Sequence, residues 1–448
     1  MKTIIIGAGK VGFSIAELLS GEDQDVVVIE QEEERIKIVA DNLDVQVILG
    51  SGSSPAILEA AGVQEASMLI AVTEMDELNM IACLLAKQYG VKTTIARVRN
   101  TEYIETPIFS PEALLGVDLI INPERVTAQE IAKIVRNPEA LSVEYFADGR
   151  VQMVEVEIPD NSNLDGVKLK DLDTSKFVIV SIIRKHKTIV PAGNDSLHNG
   201  DKIYIMAKTS NMASALSSLG IHPKRVESVT ILGAGRTGCY LARIIERERW
   251  PIDVKIIEKN VAQARRAENL LKSTLVINGD GSDLELLKEE SIGQTDLFVS
   301  VTDDDRLNIL ASLIAKSLGV KITICKVKRS DLTPLVDQIG IDVIMSPRML
   351  TAGAILKYIR RGDVVSVTVL GEEMAEMMEL VAQPGSIAAG KRLSKIKFPS
   401  GSVLGAIVRD DEVIIPSGEH EVKANDHLMV FSIPKSIAKV EKLFLKSH

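Results

Sequence analysis

Apolar residues in this chain fall in short unbroken runs separated by amphipathic stretches, a pattern that predicts buried strands alternating with helices. Before Pro123 the predicted strands are Ile4-Ile5-Ile6, Val26-Val27-Val28-Ile29-Glu30, Gln46-Val47-Ile48-Leu49-Gly50, Met68-Leu69-Ile70-Ala71-Val72, Thr94-Ile95-Ala96-Arg97-Val98 and Leu119-Ile120-Ile121. Between them lie an acidic helix from Glu32, a helix around Pro55 and a helix opening at Thr73, where Thr73 reads as the N-cap. Pro123 starts an amphipathic helix through Ile131, Ile134 and Val135 that should stop at Pro138. Strand and helix in strict alternation mean an α/β fold with a doubly wound parallel sheet. From about residue 140 the runs shorten and Pro191-Ala192-Gly193 and Asn199-Gly200-Asp201 mark turns, which predicts a small α+β lobe.

The pattern then repeats. Val72-Thr73-Glu74-Met75-Asp76 corresponds to Val301-Thr302-Asp303-Asp304-Asp305, Gly50-Ser51-Gly52 to Gly279-Asp280-Gly281, and Asn122-Pro123 to Ser346-Pro347. In the small lobes Pro191 matches Pro416 and Asp201 matches Asp426. The chain is therefore expected to be a tandem duplication of a two-part unit, with Rossmann-like domains at 1–138 and 226–361, small lobes at 139–221 and 362–448, and a linker at His222-Pro223-Lys224. The helices from Pro123 and Pro347 lead out of the large lobes and read as levers between lobes.

Candidate chemistry sits at the end of the first strand of each half. Gly7-Ala8-Gly9-Lys10-Val11-Gly12 and Gly233-Ala234-Gly235-Arg236-Thr237-Gly238 each follow a strand and open a helix. Each is followed by an acid at the end of the next strand, Glu30 and Glu258. In a dinucleotide fold the first glycine makes the tight turn, the second admits a pyrophosphate and the third lets helix pack on strand, while the acid accepts from a ribose diol. Either carboxylate would repel a 2′-phosphate, so NADP is disfavoured. Removing one should weaken NAD(H) binding with little effect on folding, since each lies at a strand end. Ser51, Gly52, Thr73, Glu74 and Arg97, with Asp280, Gly281, Thr302, Asp303 and Lys326, complete the candidate crevice. Thr73 and Thr302 read equally as helix caps, and Arg97 and Lys326 as solvated strand ends or as phosphate or adjacent-subunit contacts. Asp303-Asp304-Asp305 fits a helix start better than a cation site.

Bulk properties narrow the function. The 448 residues carry a net charge of −10, which argues against a nucleic-acid partner. Only 3% are aromatic, so the cores must be aliphatic. No apolar run approaches the ~20 residues of a membrane span, and the chain enters a strand directly, so a cytosolic protein without a signal peptide is expected. Cys83, Cys239 and Cys325 are scattered and read as reduced core residues, and the six histidines lack ligand spacing. An oxidoreductase would need a proton donor at the nicotinamide. Tyr204 and Lys208 have a Tyr-x-x-x-Lys spacing, but on a strand they stand ~13 Å apart and cannot cooperate.

A dinucleotide fold, a Pro-initiated helix and a small strand-rich lobe, all present twice, resemble the RCK (KTN/TrkA-N plus TrkA-C) regulators of potassium transport, in their tandem TrkA-type form. The resemblance implies NAD(H) and adenine nucleotides (ATP or ADP) as ligands, no catalytic residues, and a homotetrameric ring. It also implies attachment to a membrane potassium channel subunit of the TrkH/TrkG type at the inner face of the cell membrane. Such domains commonly carry Gly-Asp after the third strand to seat the nucleotide. Here that acid is Asp280 in the second half, whereas the first half has Ser51. Cations at Lys10 and Arg236, within the glycine turns, can reach a terminal phosphate and so favour ATP or ADP beside NAD, especially at Arg236 with its planar fork of donors. A second-messenger site in the small lobes stays open as an alternative.

Overall fold

Strands that are apolar at every position must be covered on both faces, and a parallel sheet flanked by helices does this. The computed structural model describes residues 2–21, 24–104, 116–136, 142–160, 162–185, 187–221, 226–329, 339–359, 364–370, 375–410 and 412–445. The expected linker, the stop at Pro138 and the boundaries at 138/139 and 361/362 lie outside them. In the first half, β1 (Lys2–Ile6), β2 (Asp25–Glu30), β3 (Gln46–Leu49), β4 (Met68–Ala71), β5 (Thr93–Arg97) and β6 (Leu119–Ile121) form a parallel sheet in the order β3-β2-β1-β4-β5-β6. Ile4, Ile5, Val27, Ile29 and Ile70 are fully buried. The order reverses between β1 and β4, which opens a crevice at the carboxyl ends of those strands. A second six-stranded parallel sheet, beginning with Ser228–Leu232, repeats this order.

The halves are joined in a way that periodicity could not show. The first crossover helix, Pro123–Arg136, places Ala128, Ile131, Ile134 and Val135 in one core with Val229, Ile231, Leu241 and Ile245 of the second half. Reciprocally, Ala352, Ile355 and Leu356 of the second crossover helix, Pro347–Ile359, pack with Ile5, Ile15, Leu19 and Ile70 of the first. Each helix thus completes the other half's core instead of moving freely as a lever. Burial of these side chains contributes on the order of 10 kcal/mol gross, enough to hold the large lobes as one body.

The small lobes are two five-stranded antiparallel sheets with matching strand order. The first lobe has strands at Ser142–Phe146 and Lys187–Ile189 besides the three expected from sequence. The sheets face each other through Met153, Val180 and Met206 on one side and Met377, Val408 and Phe431 on the other. They approach so closely at Gly405 that a Cβ there would lie 2.6 Å from Met206 Sδ. Asp201 and Asp426 have equivalent roles, each buried and gripped by a two-pronged arginine, Arg184 and Arg409. Tyr204 lies on the strand Lys202–Lys208, as the sequence indicated, and donates to Glu155 at 2.9 Å. Burial holds its phenol well above its ordinary pKa.

Candidate nucleotide-binding site

The glycine turns take the three roles their spacing implies. Gly7 and Gly233 sit at φ +100° and +107°, a region glycine alone enters easily, with Thr73 and Thr302 against them. At Gly12 and Gly238 a Cβ would stand 1.8 and 2.1 Å from the carbonyl oxygens of Gly7 and Gly233, so these positions pack helix on strand. Gly9 and Gly235 are the open ones: among the described residues a Cβ on Gly9 would meet only Arg35 Nη1 within 4 Å, at 3.9 Å, and one on Gly235 would meet nothing. Both are helix N-caps without a side-chain acceptor, so free N–H groups meet the crevice.

Glu30 and Glu258 close each turn. Glu30 accepts from Ala8 N (2.7 Å) and from Gln31 and Glu32 N, and is 8% exposed. Glu258 accepts from Ala234 N and Asn260 N, each at 2.8 Å. These carboxylates therefore brace the glycine turns, so their loss reaches the fold. This corrects the expectation that folding is indifferent to them.

Thr73 and Thr302 are not helix caps. The caps are Met75, which makes no side-chain bond, and Asp304, which accepts from Arg306 and Leu307 N. Each threonine is clamped instead by a buried asparagine. Thr73 Oγ1 donates to Asn79 Oδ1 (2.7 Å), while Asn79 Nδ2 donates to Thr73 O and Arg97 O. Thr302, Asn308 and Lys326 repeat this. Each asparagine thereby ties the end of the fourth strand to that of the fifth. Asp305 accepts from Lys328 and Arg329 N, and Asp303 pairs with Lys328 Nζ at 2.8 Å, so all three aspartates have protein partners.

The two crevices do not stay separate. They open into one cavity of about 1070 Å³ lined from both halves. It collects Gly7, Ala8, Gly9, Lys10, Val11, Glu30, Gly52, Thr73, Glu74 and Arg97 with Gly233, Gly235, Arg236, Thr237, Glu258, Gly281, Thr302, Asp303 and Lys326. Among the candidates, Gly12, Gly238, Ala234, Ser51 and Asp280 do not line it. Ser51 bonds to Ser53, while Asp280 accepts from Ser282 and pairs with Lys259 at 2.6 Å. Gly52 and Gly281 are needed for packing too, since a Cβ on either would meet Ile6 or Leu232 at 2.2 Å.

The cavity is cationic although the chain is acidic: nine lysines and arginines line it against six carboxylates. Arg97 is the most telling of them. Its Nη1 donates to Thr73 O, its buried Nε has no partner among the described residues, and burial lowers its pKa. Lys326 is 5% exposed and lies 3.8 Å from Asp303, with its pKa also lowered by burial. A cationic cavity in which a buried guanidinium N–H is left without a partner fits an anionic ligand. The residues present fit a nucleotide: open glycine N–H groups for phosphates, and carboxylates where a ribose would lie. Sequence reasoning missed Arg35, Glu124, Lys259 and Arg348 as cavity residues. A half-to-half alignment carries one signal for them, because it sets Glu124 against Arg348 directly after the matched prolines.

Comparison with known proteins agrees with this geometry. Residues 3–123 and 229–347 match the TrkA-N domain, and residues 153–220 and 377–445 match the TrkA-C domain. The "Trk system potassium uptake protein TrkA homolog 1" of Methanosarcina mazei is 40% identical over 99% of this chain and 100% of that protein. The TrkA protein of Halomonas elongata is 35% identical over 99% and 98%. Among solved structures, the GsuK RCK domain superposes with a TM-score of 0.63 at 17% identity, covering 99% of this chain and 94% of that one. The GsuK channel bound to NAD also gives 0.63 at 17% identity, covering 99% and 78%. With both domains matched twice and relatives aligned end to end, the chain belongs to the family of the Trk system potassium uptake protein TrkA.

Proposed function

We propose that this chain is the regulatory subunit of a Trk-type potassium-uptake system, binding NAD(H) and adenine nucleotides to control a membrane channel subunit of the TrkH/TrkG type. The observation that carries the nucleotide reading is the paired glycine turns opening on a cationic cavity, where the buried Nε of Arg97 has no partner among the described residues. The relatives are named as potassium-uptake proteins, and related folds have been solved with NAD and with ADP. No helix among the described residues is long and apolar enough to cross a membrane, so attachment to the inner face falls to the channel partner. The candidate residues that line the cavity bind nucleotide, the lobes divide at 1–138, 139–221, 226–361 and 362–448, and four chains form the ring.

A ligand shifts a conformational equilibrium only by binding two states unequally. Here the cavity is lined from both halves, so two states that arrange its lining differently bind a nucleotide unequally. The protein acts without catalysis: Tyr204, the one candidate proton donor with a lysine at suggestive spacing, lies in the small-lobe interface bonded to Glu155. Calorimetric titration of the full chain with NADH, NAD, ATP and ADP tests binding. Potassium uptake in cells lacking their own regulatory subunit tests function. Micromolar or tighter binding with restored uptake is expected; absence of binding by all four nucleotides sinks the proposal.

A further inference from the structure

The exchanged helices bring opposite charges into the shared cavity. Arg348, in the first turn of the second crossover helix, donates its Nε to Ser14 Oγ on the helix that begins at the first glycine turn, and it lines the cavity. The equivalent residue on the first crossover helix is Glu124, and that helix packs on Leu241 and Ile245 of the second glycine helix. Arg99 engages one oxygen of Glu124, and the other is buried without a partner among the described residues. Charges of both halves share the cavity: Arg99 and Glu124 line it together with Asp303 and Lys326.

Resting on the nucleotide reading above, we infer that Arg348 makes the first glycine turn the site for a nucleoside triphosphate, and that Glu124 reserves the second for a nucleotide without a free terminal phosphate. A terminal phosphate at the first turn meets a guanidinium supplied by the other half, besides the unpaired Nε of Arg97. The same phosphate at the second turn shares the cavity with a buried carboxylate oxygen of Glu124 that has no donor among the described residues. That oxygen suits a ribose hydroxyl or an amide N–H, groups that a dinucleotide carries. Arg35 adds to the bias: its Nη1 lies beside Gly9, and its counterpart in the second half is the neutral Gln263.

Photolabelling of the full chain with 8-azido-ATP and 8-azido-ADP, followed by mapping of labelled peptides, reads the two halves separately. In the parent, the triphosphate should label the first half preferentially. Arg348→Gln should reduce the first half's preference for triphosphate over diphosphate roughly tenfold, about one charge-assisted hydrogen bond. Arg348→Lys should restore much of it, and the exchange Glu124→Arg with Arg348→Glu should move triphosphate labelling to the second half. An unchanged preference in Arg348→Gln, or equal triphosphate labelling of both halves in the parent, overturns the inference alone. No labelling of either half, with no heat on titration, overturns the nucleotide reading and the inference with it.

Discussion

Set side by side, the two glycine turns agree closely where sterics decide. Gly7 and Gly233 share their φ to within a few degrees, and Gly12 and Gly238 both press on a carbonyl oxygen. They part in the polar side chains around them: Arg35 against Gln263, Arg97 against Lys326, Ser51 against Asp280, and Glu124 against Arg348. Positions in contact with backbone have no room to vary, whereas Arg35, Arg97, Glu124 and their counterparts line the cavity, where side chains can differ. The duplicated scaffold is thus one steric solution carrying two chemistries.

The largest effect should come from the steric positions and be the same in both halves. Gly12→Ala and Gly238→Ala each place a methyl group inside van der Waals contact with a carbonyl oxygen and should cost more than about 3 kcal/mol. Gly235→Ala meets nothing within 4 Å and should cost below about 1 kcal/mol. Denaturant midpoints check this; equal losses for Gly238→Ala and Gly235→Ala would break the division of roles.

Next come the bracing carboxylates. Glu30→Ala orphans the N–H of Ala8 and should cost about 1–3 kcal/mol of stability together with at least tenfold in NAD(H) affinity. Glu258 braces the second turn by the same bond but is less buried, so its replacement should cost less. Thermal unfolding with and without NADH separates the two effects. Stability unchanged in Glu30→Ala would return this residue to a purely ligand-facing role.

Arg97 sharpens the contrast, because its replacement should move stability and affinity in different directions. Arg97→Met removes a buried cation with an unmet donor, so the free protein should change by no more than about 1 kcal/mol and in the stabilising sense. ATP should bind several-fold more weakly. Lys326→Met should gain less, since Lys326 already lies near Asp303. Loss of free-protein stability in Arg97→Met, with ATP binding intact, would make Arg97 a structural cation.

Much of this was legible in the chain. Unbroken apolar runs gave both parallel sheets, and the glycine spacing with Glu30 and Glu258 located both crevices. Ile131, Ile134 and Val135 showed an apolar helix face, but periodicity does not say what covers a face, and the cover proved to be the other half. For the same reason the fusion of the two crevices was invisible, since it follows from the helix exchange. Thr73 was read as a cap because a threonine before a helix usually caps it; Asn79, six residues on, competes for its hydroxyl and wins. Asp280 was read toward the ligand, whereas Lys259 on the neighbouring strand end turns it aside.

The smallest expected difference lies at Ser51 and Asp280, and it should appear only in acid. Lys259 and then Ser282 hold the Asp280 carboxyl down to about 2, from an ordinary 3.8. A depressed carboxylate contributes stability that is complete above pH 3.8 and is lost as pH falls toward 2. Because the pair is open to solvent, the contribution should stay below about 1 kcal/mol and shrink with salt. Ser51 makes the equivalent bond to the residue two positions on without titrating. Asp280→Ser, which copies the first half into the second, should therefore lower stability slightly at neutral pH and leave it unchanged near pH 2. Urea midpoints for parent and variant at pH 7 and pH 2 measure the window. A difference as large at pH 2 as at pH 7 would assign the effect to the serine's geometry, and the two third-strand turns would then differ in shape as well as in charge.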